Sequence, residues 1–76
     1  MKDLVEYIAK ALVEEPETVS VTSTEGDAGE EVIELRVAPQ DRGRVIGKNG
    51  RTAHAMRTLL SAIQEPGKSA TLEILD

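Results

Sequence analysis

The hydrophobic repeat of this chain changes period along its length, and that limits the fold more than any other feature. Leu4, Val5, Ile8, Ala9 and Leu12 recur at helical spacing, with Lys2, Glu6, Lys10 and Glu14 elsewhere on the wheel. This predicts an amphipathic helix over residues 2–14, stopped by Pro16. The period then drops to two: in "TVSVTST" Val19 and Val21 alternate with small hydroxyl residues, and beyond the turn cluster "EGDAG" Ile33, Leu35 and Val37 alternate with Glu34 and Arg36. These are two strands, most simply an antiparallel hairpin, the second ending at Pro39. Asp41 is placed to cap a short helical turn over residues 42–46, which Gly47 ends. Helical spacing returns after Arg51: Ala53, Met56, Leu60 and Ile63 share one face, Leu59 lies at its margin, and Arg51, His54 and Thr58 lie roughly opposite. "EPGK", residues 65–68, breaks this helix of about fourteen residues. Ala70, Leu72 and Ile74 then alternate with Thr71 and Glu73 in a last strand.

The order α-β-β-α-α-β, with helices on one face of a three-stranded sheet, is a two-layer α+β arrangement, the smallest that buries these faces together. At 76 residues the chain is read as one domain, 1–76, since so short a sequence does not support two cores. Such a domain buries only about 60 % of its unfolded surface, so its stability is expected to be modest unless a ligand or a second subunit adds to it. The absence of cysteine excludes a disulfide framework and thiolate-bound metal, and one histidine leaves little for any structural metal site. No uncharged apolar stretch is long enough to span a bilayer, and a soluble, unexported, cytoplasmic protein is expected.

Net charge is −5, which argues at first against a nucleic-acid partner. The sum hides a segregation. Arg42, Arg44, Lys48, Arg51 and Arg57 give residues 42–57 a charge of +5 with no acid, while the other sixty residues hold four basic and fourteen acidic groups, a net −10.

Within the basic stretch, "GKNG" at residues 47–50 admits four readings. A β-hairpin turn needs alternating strands on both sides, and the downstream flank is helix-periodic. A nucleotide-hydrolase phosphate loop needs four residues between its glycines and a hydroxyl residue after the lysine. Gly43 and Gly47 are separated by three, and Asn49 stands in the hydroxyl position. A plain connector with a solvated basic face is the third reading. The fourth is a clamp for a sugar-phosphate backbone. Glycines let that backbone approach peptide N–H groups, the next helix offers its N-terminus, and Lys48 and Arg51 supply charge.

That arrangement resembles the GXXG loop of KH domains, which clamps about four nucleotides, and the helix and strand placed before the loop resemble the type II topology. "LVEYIAKALVEEPETVSV" and "RVIGKNGRTAHAMRTLL" are similar to the KhpA family of small bacterial single-domain KH proteins, over essentially the whole chain. The resemblance implies a cytoplasmic RNA-binding protein of low sequence preference, without enzymatic activity or cofactor. It also implies self-association or pairing with a larger KH-containing partner, and a post-transcriptional or RNA-chaperone role tied in some bacteria to envelope growth and cell shape. The RNA-binding positions it implies are Arg44, Val45, Ile46, Gly47, Lys48, Asn49, Gly50, Arg51 and Thr52, with Arg42, His54, Leu35 and Val37 as additional contacts. Val45, Ile46, Ala53, Leu35 and Val37 are available for an aliphatic floor, made shallower by Thr52 or Ala53 where many KH domains carry a larger aliphatic residue. Leu59 and Ile63 form an apolar margin fit for a subunit contact, so a protein-interaction module with secondary RNA contact stands as the alternative.

His54 has no nucleophile beside it in any recognisable motif, and the pairs Glu14–Glu15 and Glu30–Glu31 read as surface and strand-edge charges; no catalytic residue is assigned. Tyr7 is the one aromatic residue, so base stacking, about 1–3 kcal/mol per base where present, is nearly absent.

Overall fold

The computed structural model describes residues 1–64 and 67–75. Helix α1, Lys2–Leu12, turns Val5 and Ala9 inward, as its helical spacing requires. It ends earlier than the expected residue 14 because Val13 is extended, and Pro16 disfavours helical geometry at Glu15. A 3₁₀ turn, Pro16–Thr18, leads into β1, Ser20–Glu25, and the hairpin partner β2 is Glu31–Arg36. The register pairs Val21 with Leu35 and Ser23 with Ile33, antiparallel as expected.

Strand β3, Ala70–Leu75, pairs with β2 in parallel and gives the sheet order β1-β2-β3. Parallel neighbours need a crossover connection. Here it comprises a 3₁₀ turn Pro39–Asp41, the short helix α2, Arg42–Ile46, a glycine-bounded loop, and helix α3, Arg51–Ala62. Because β3 starts level with β2, α3 runs back over the sheet for about 18 Å, leaving the loop at the end where β2 and β3 finish. The architecture is that expected: α+β, in the order α-β-β-α-α-β.

The core consists of aliphatic side chains and one methionine: Val5 and Ala9 from α1, Val21, Ile33, Leu35 and Leu72 from the sheet, Val37 just past β2, Val45 from α2, and Met56 and Leu60 from α3. The opposite face of the sheet presents the polar row Thr22, Glu34, Glu73, where Thr22 Oγ1 donates to Glu34 at 3.3 Å. Three expectations are corrected. Helix α3 stops at Ala62, so Ile63, expected on the inner face beside Leu60, lies past the last turn and is 50 % exposed. Asp41 makes no side-chain cap on α2; its carboxylate turns instead toward the end of α1. The break expected over 65–68 lies partly outside the described residues, with Gly67 in a turn at φ +82°.

Candidate nucleic-acid interface

Loop 47–50 is built from three departures from ordinary backbone, at Gly47, Asn49 and Gly50. Gly47 has φ +79° and ψ 168°, a combination essentially reserved for glycine. Space excludes a side chain there as well: a Cβ would run into the Thr52 hydroxyl and lie 2.7 Å from the Thr52 backbone nitrogen. Asn49 adopts the left-handed conformation at φ 57°, which asparagine tolerates better than most residues. Gly50 is also left-handed, at φ +75°, but a Cβ there would meet nothing within 4 Å. Gly47 is therefore required by packing against the start of α3, whereas Gly50 faces open space.

The hydrogen bonds inside the loop run from the Gly47 N–H to the Gly43 carbonyl at 2.9 Å, from the Gly50 N–H to the Gly47 carbonyl at 3.0 Å, and from the Arg51 N–H to the Lys48 carbonyl. The N–H groups of Lys48 and Asn49 take no part in them. Gly50 stands at the N-cap of α3 and offers no side chain, so the first turn of that helix keeps its dipole end uncapped by any side chain. Loop and helix start together form a small surface of available N–H donors and positive potential.

The basic groups flanking this surface are engaged differently. Among the described residues, Lys48 and Arg51 make no ion pair or side-chain hydrogen bond, and both are exposed. Arg44 is held: its Nη2 lies 2.9 Å from Glu14 Oε1, and its Nε lies 3.4 Å from Asp41 Oδ1. Arg57 donates through Nε and Nη2 to the Leu72 carbonyl on β3, at 3.3 and 3.1 Å. Arg42 is half-buried at the start of α2.

The apolar positions divide as cleanly. Val45 and Leu35 are wholly buried and Val37 and Ala53 nearly so, which puts their side chains in the core. Ile46 and Thr52 are half-buried beside the loop, and His54 is exposed on α3. Leu59 is 40 % exposed. Ile63 belongs to the other end of α3, where it lines a groove of about 690 Å³ with Ser23, Thr24, Glu25, Glu31 and Lys68.

Sequence reading missed the carboxylate of Asp41, which is completely buried and accepts the backbone N–H groups of both Glu14 and Glu15 at 3.1 Å. It thereby ties the end of α1 to the start of α2. The signal available in sequence was an aspartate just before a short helix, and it reads equally well as an ordinary cap. Among the described residues no group of three metal-ligating side chains comes together, and no helix is long and apolar enough to cross a membrane.

Comparison with known proteins places this geometry. A family profile described as KhpA/KhpB, KH domain, matches residues 2–74. The RNA-binding protein KhpA of Treponema pallidum (strain Nichols) is 50 % identical over 76 residues, covering 99 % of this chain and 94 % of its own length. The RNA-binding protein KhpA of Aquifex aeolicus (strain VF5) is 52 % identical across 100 % of this chain and 96 % of its own. That of Clostridium perfringens (strain 13 / Type A) is 48 % identical, covering 99 % and 100 %. The names of these relatives describe RNA-binding proteins and no catalytic activity. No solved structure matches the chain. With the KH order of elements, a GKNG loop in the crossover and a profile match over nearly every residue, the chain belongs to the KhpA/KhpB family of KH domains.

Proposed function

We propose that this protein is a non-enzymatic binder of single-stranded RNA that holds the sugar-phosphate backbone at the loop 47–50. The observation that carries the reading is the loop itself: open space at Gly50 and, among the described residues, N–H groups at Lys48 and Asn49 outside the loop's hydrogen bonds and exposed cations at Lys48 and Arg51 without an ion pair. Ile46, Gly47, Thr52 and His54 border this surface and complete the contact region. The relatives' printed name, RNA-binding protein, supports the same partner.

Low sequence specificity follows from what the loop lacks. Phosphate contacts carry no base information, and the single aromatic, Tyr7, is 75 % exposed on α1 rather than set beside the loop in sequence. Neutralising two phosphates, at Lys48 and Arg51, gives a slope of log K against log salt of about −1.4, at roughly −0.7 per phosphate on a single strand. The protein works in the cytoplasm as one KH domain, in a post-transcriptional or RNA-chaperone role. It pairs with itself or with a larger KH-containing protein. Leu59 and Ile63 are exposed apolar residues that favour a subunit contact, and assembly through them is the second reading.

The test is fluorescence anisotropy of a short labelled oligouridine against the parent and against the double variant Lys48→Asp/Asn49→Asp, both verified as folded by circular dichroism. Binding lost in the variant alone is the expected result. Equal binding by both, or by neither, overturns the loop as the RNA site and favours assembly as the main role.

A further inference from the structure

Arg44 sits three residues, about 4.5 Å of helix rise, before Gly47, yet its charge is already spent inside the protein. We propose that Glu14 is an internal competitor for RNA phosphate at Arg44, so that the α1 end sets how tightly the loop holds its strand; this rests on the RNA-binding reading above.

The geometry has two parts with different strengths. The Asp41 carboxylate is wholly buried, pins the backbone N–H groups of Glu14 and Glu15, and faces Arg44 Nε at 3.4 Å. This part is fixed by the fold. The Glu14 side chain is 68 % exposed and the Arg44 side chain 50 % exposed, so their 2.9 Å contact is a solvent-screened ion pair of the kind that contributes little. Asp41 delivers Glu14 to Arg44 through the backbone, and it holds one edge of the guanidinium whether or not Glu14 stays.

A phosphate is the stronger ligand for the remaining edge, because guanidinium and phosphate match as charge-assisted, two-pronged partners. A strand clamped at the loop presents its next phosphate near Arg44, where Nη2 exchanges Glu14 for RNA. Asp41 keeps the side chain aimed during the exchange. While Glu14 holds Arg44, the interface runs on Lys48 and Arg51; with Glu14 neutralised, a further cation joins them.

The experiment measures anisotropy of a fluorescein-labelled oligouridine against full-length parent, Glu14→Gln, Arg44→Gln, the double variant Glu14→Gln/Arg44→Gln, and Lys48→Asp, across a salt series. Glu14 gives Asp41 its N–H and not its side chain, so Glu14→Gln retains the fold-fixing contact. One added phosphate contact predicts binding tighter by about 8-fold at roughly 50 mM salt and about 4-fold near 0.15 M, with the slope steeper by about 0.7. The double variant returns to the parent affinity or below. An unchanged or weaker affinity for Glu14→Gln, while Lys48→Asp abolishes binding, overturns the competition and leaves the loop site standing. A gain that persists in the double variant also overturns it, since the gain then comes from lost repulsion and not from Arg44. Lys48→Asp binding as the parent does overturns the RNA-binding reading at the loop itself.

Discussion

Replacing Gly47 with alanine tests whether the loop is held by backbone geometry and close approach, or merely by the flexibility of glycine. At φ +79° and ψ 168° an L side chain carries a strain of about 1–3 kcal/mol. To this the structure adds contact: the new Cβ would meet the Thr52 hydroxyl, the Thr52 nitrogen at 2.7 Å and the Thr52 Cβ at 2.8 Å. The nitrogen is backbone at the start of α3 and cannot swing aside, so the loop or the helix must shift. Overpacking of this type costs about 1–3 kcal/mol, so the sum is about 2–6 kcal/mol. Against a total of about 5–15 kcal/mol for small domains, that is a large share.

The control is Gly50→Ala, also left-handed but with nothing within 4 Å of the added carbon, for which only the αL cost of about 1–2 kcal/mol applies. Urea unfolding followed by far-UV circular dichroism reads both, the midpoints being compared at equal slope. The expected order is parent, then Gly50→Ala, then Gly47→Ala with a clear further drop. Adding Thr52→Ala to Gly47→Ala removes the hydroxyl contact but leaves the nitrogen and Cβ contacts, so less than about half of the loss is regained. Equal midpoints for Gly47→Ala and Gly50→Ala, or complete rescue by Thr52→Ala, would refute the close-approach argument.

Three other variants probe the frame around the loop. Leu35→Ala empties a wholly buried position of the core and is expected to lower stability by about 2–5 kcal/mol in the same urea assay. Asp41→Ala leaves the N–H groups of Glu14 and Glu15 without their acceptor, a loss of about 1–3 kcal/mol per buried group, with faster hydrogen exchange at those two amides than in the parent. Ile63→Asp, at a half-exposed position beyond the end of α3, is expected to stay folded by circular dichroism and to lower the molar mass measured by light scattering if the parent self-associates there.

The elements were legible where one physical rule acts alone. Alternation in "VIELRV" buries Ile33 and Leu35 while leaving Glu34 half-buried and Arg36 exposed on the other face, because a strand with one face on a core leaves no other choice, and β2 follows it. The same logic finds Val5 and Ala9 on α1 and Met56 and Leu60 on α3. Reading fails at Ile63, whose period-matched position loses meaning once the helix ends one residue earlier. It fails again wherever a side chain serves the backbone of a distant segment: Asp41 reaches residues 26 and 27 positions away, and Arg57 reaches the Leu72 carbonyl, neither of which periodicity records. For the loop, Gly47 and Gly50 look equivalent in the string "GKNG", and only the approach of Thr52 separates the glycine that packing demands from the one that faces open space.

These distant contacts explain how an acidic chain of 76 residues can present a basic loop in usable form. A flexible loop would lose conformational freedom on gripping a strand, and the few contacts available, without aromatic stacking, would not compensate for that loss. In this fold the ordering is completed before any ligand arrives: the parallel crossover fixes both ends, Thr52 fills the space against Gly47, and Asp41 locks the start of α2 to the end of α1. Arg57 meanwhile is turned to an edge carbonyl on β3, and Arg44 is balanced by carboxylates. Among the described residues, Lys48 and Arg51 carry the charge left unpaired at the loop, beside N–H groups that take no part in its hydrogen bonds. With the loop as the proposed RNA site, preorganisation replaces contact number and ties affinity to stability: a variant that loosens the Asp41 lock is expected to weaken RNA binding in proportion to the fraction of loops no longer held, although Asp41 itself is wholly buried.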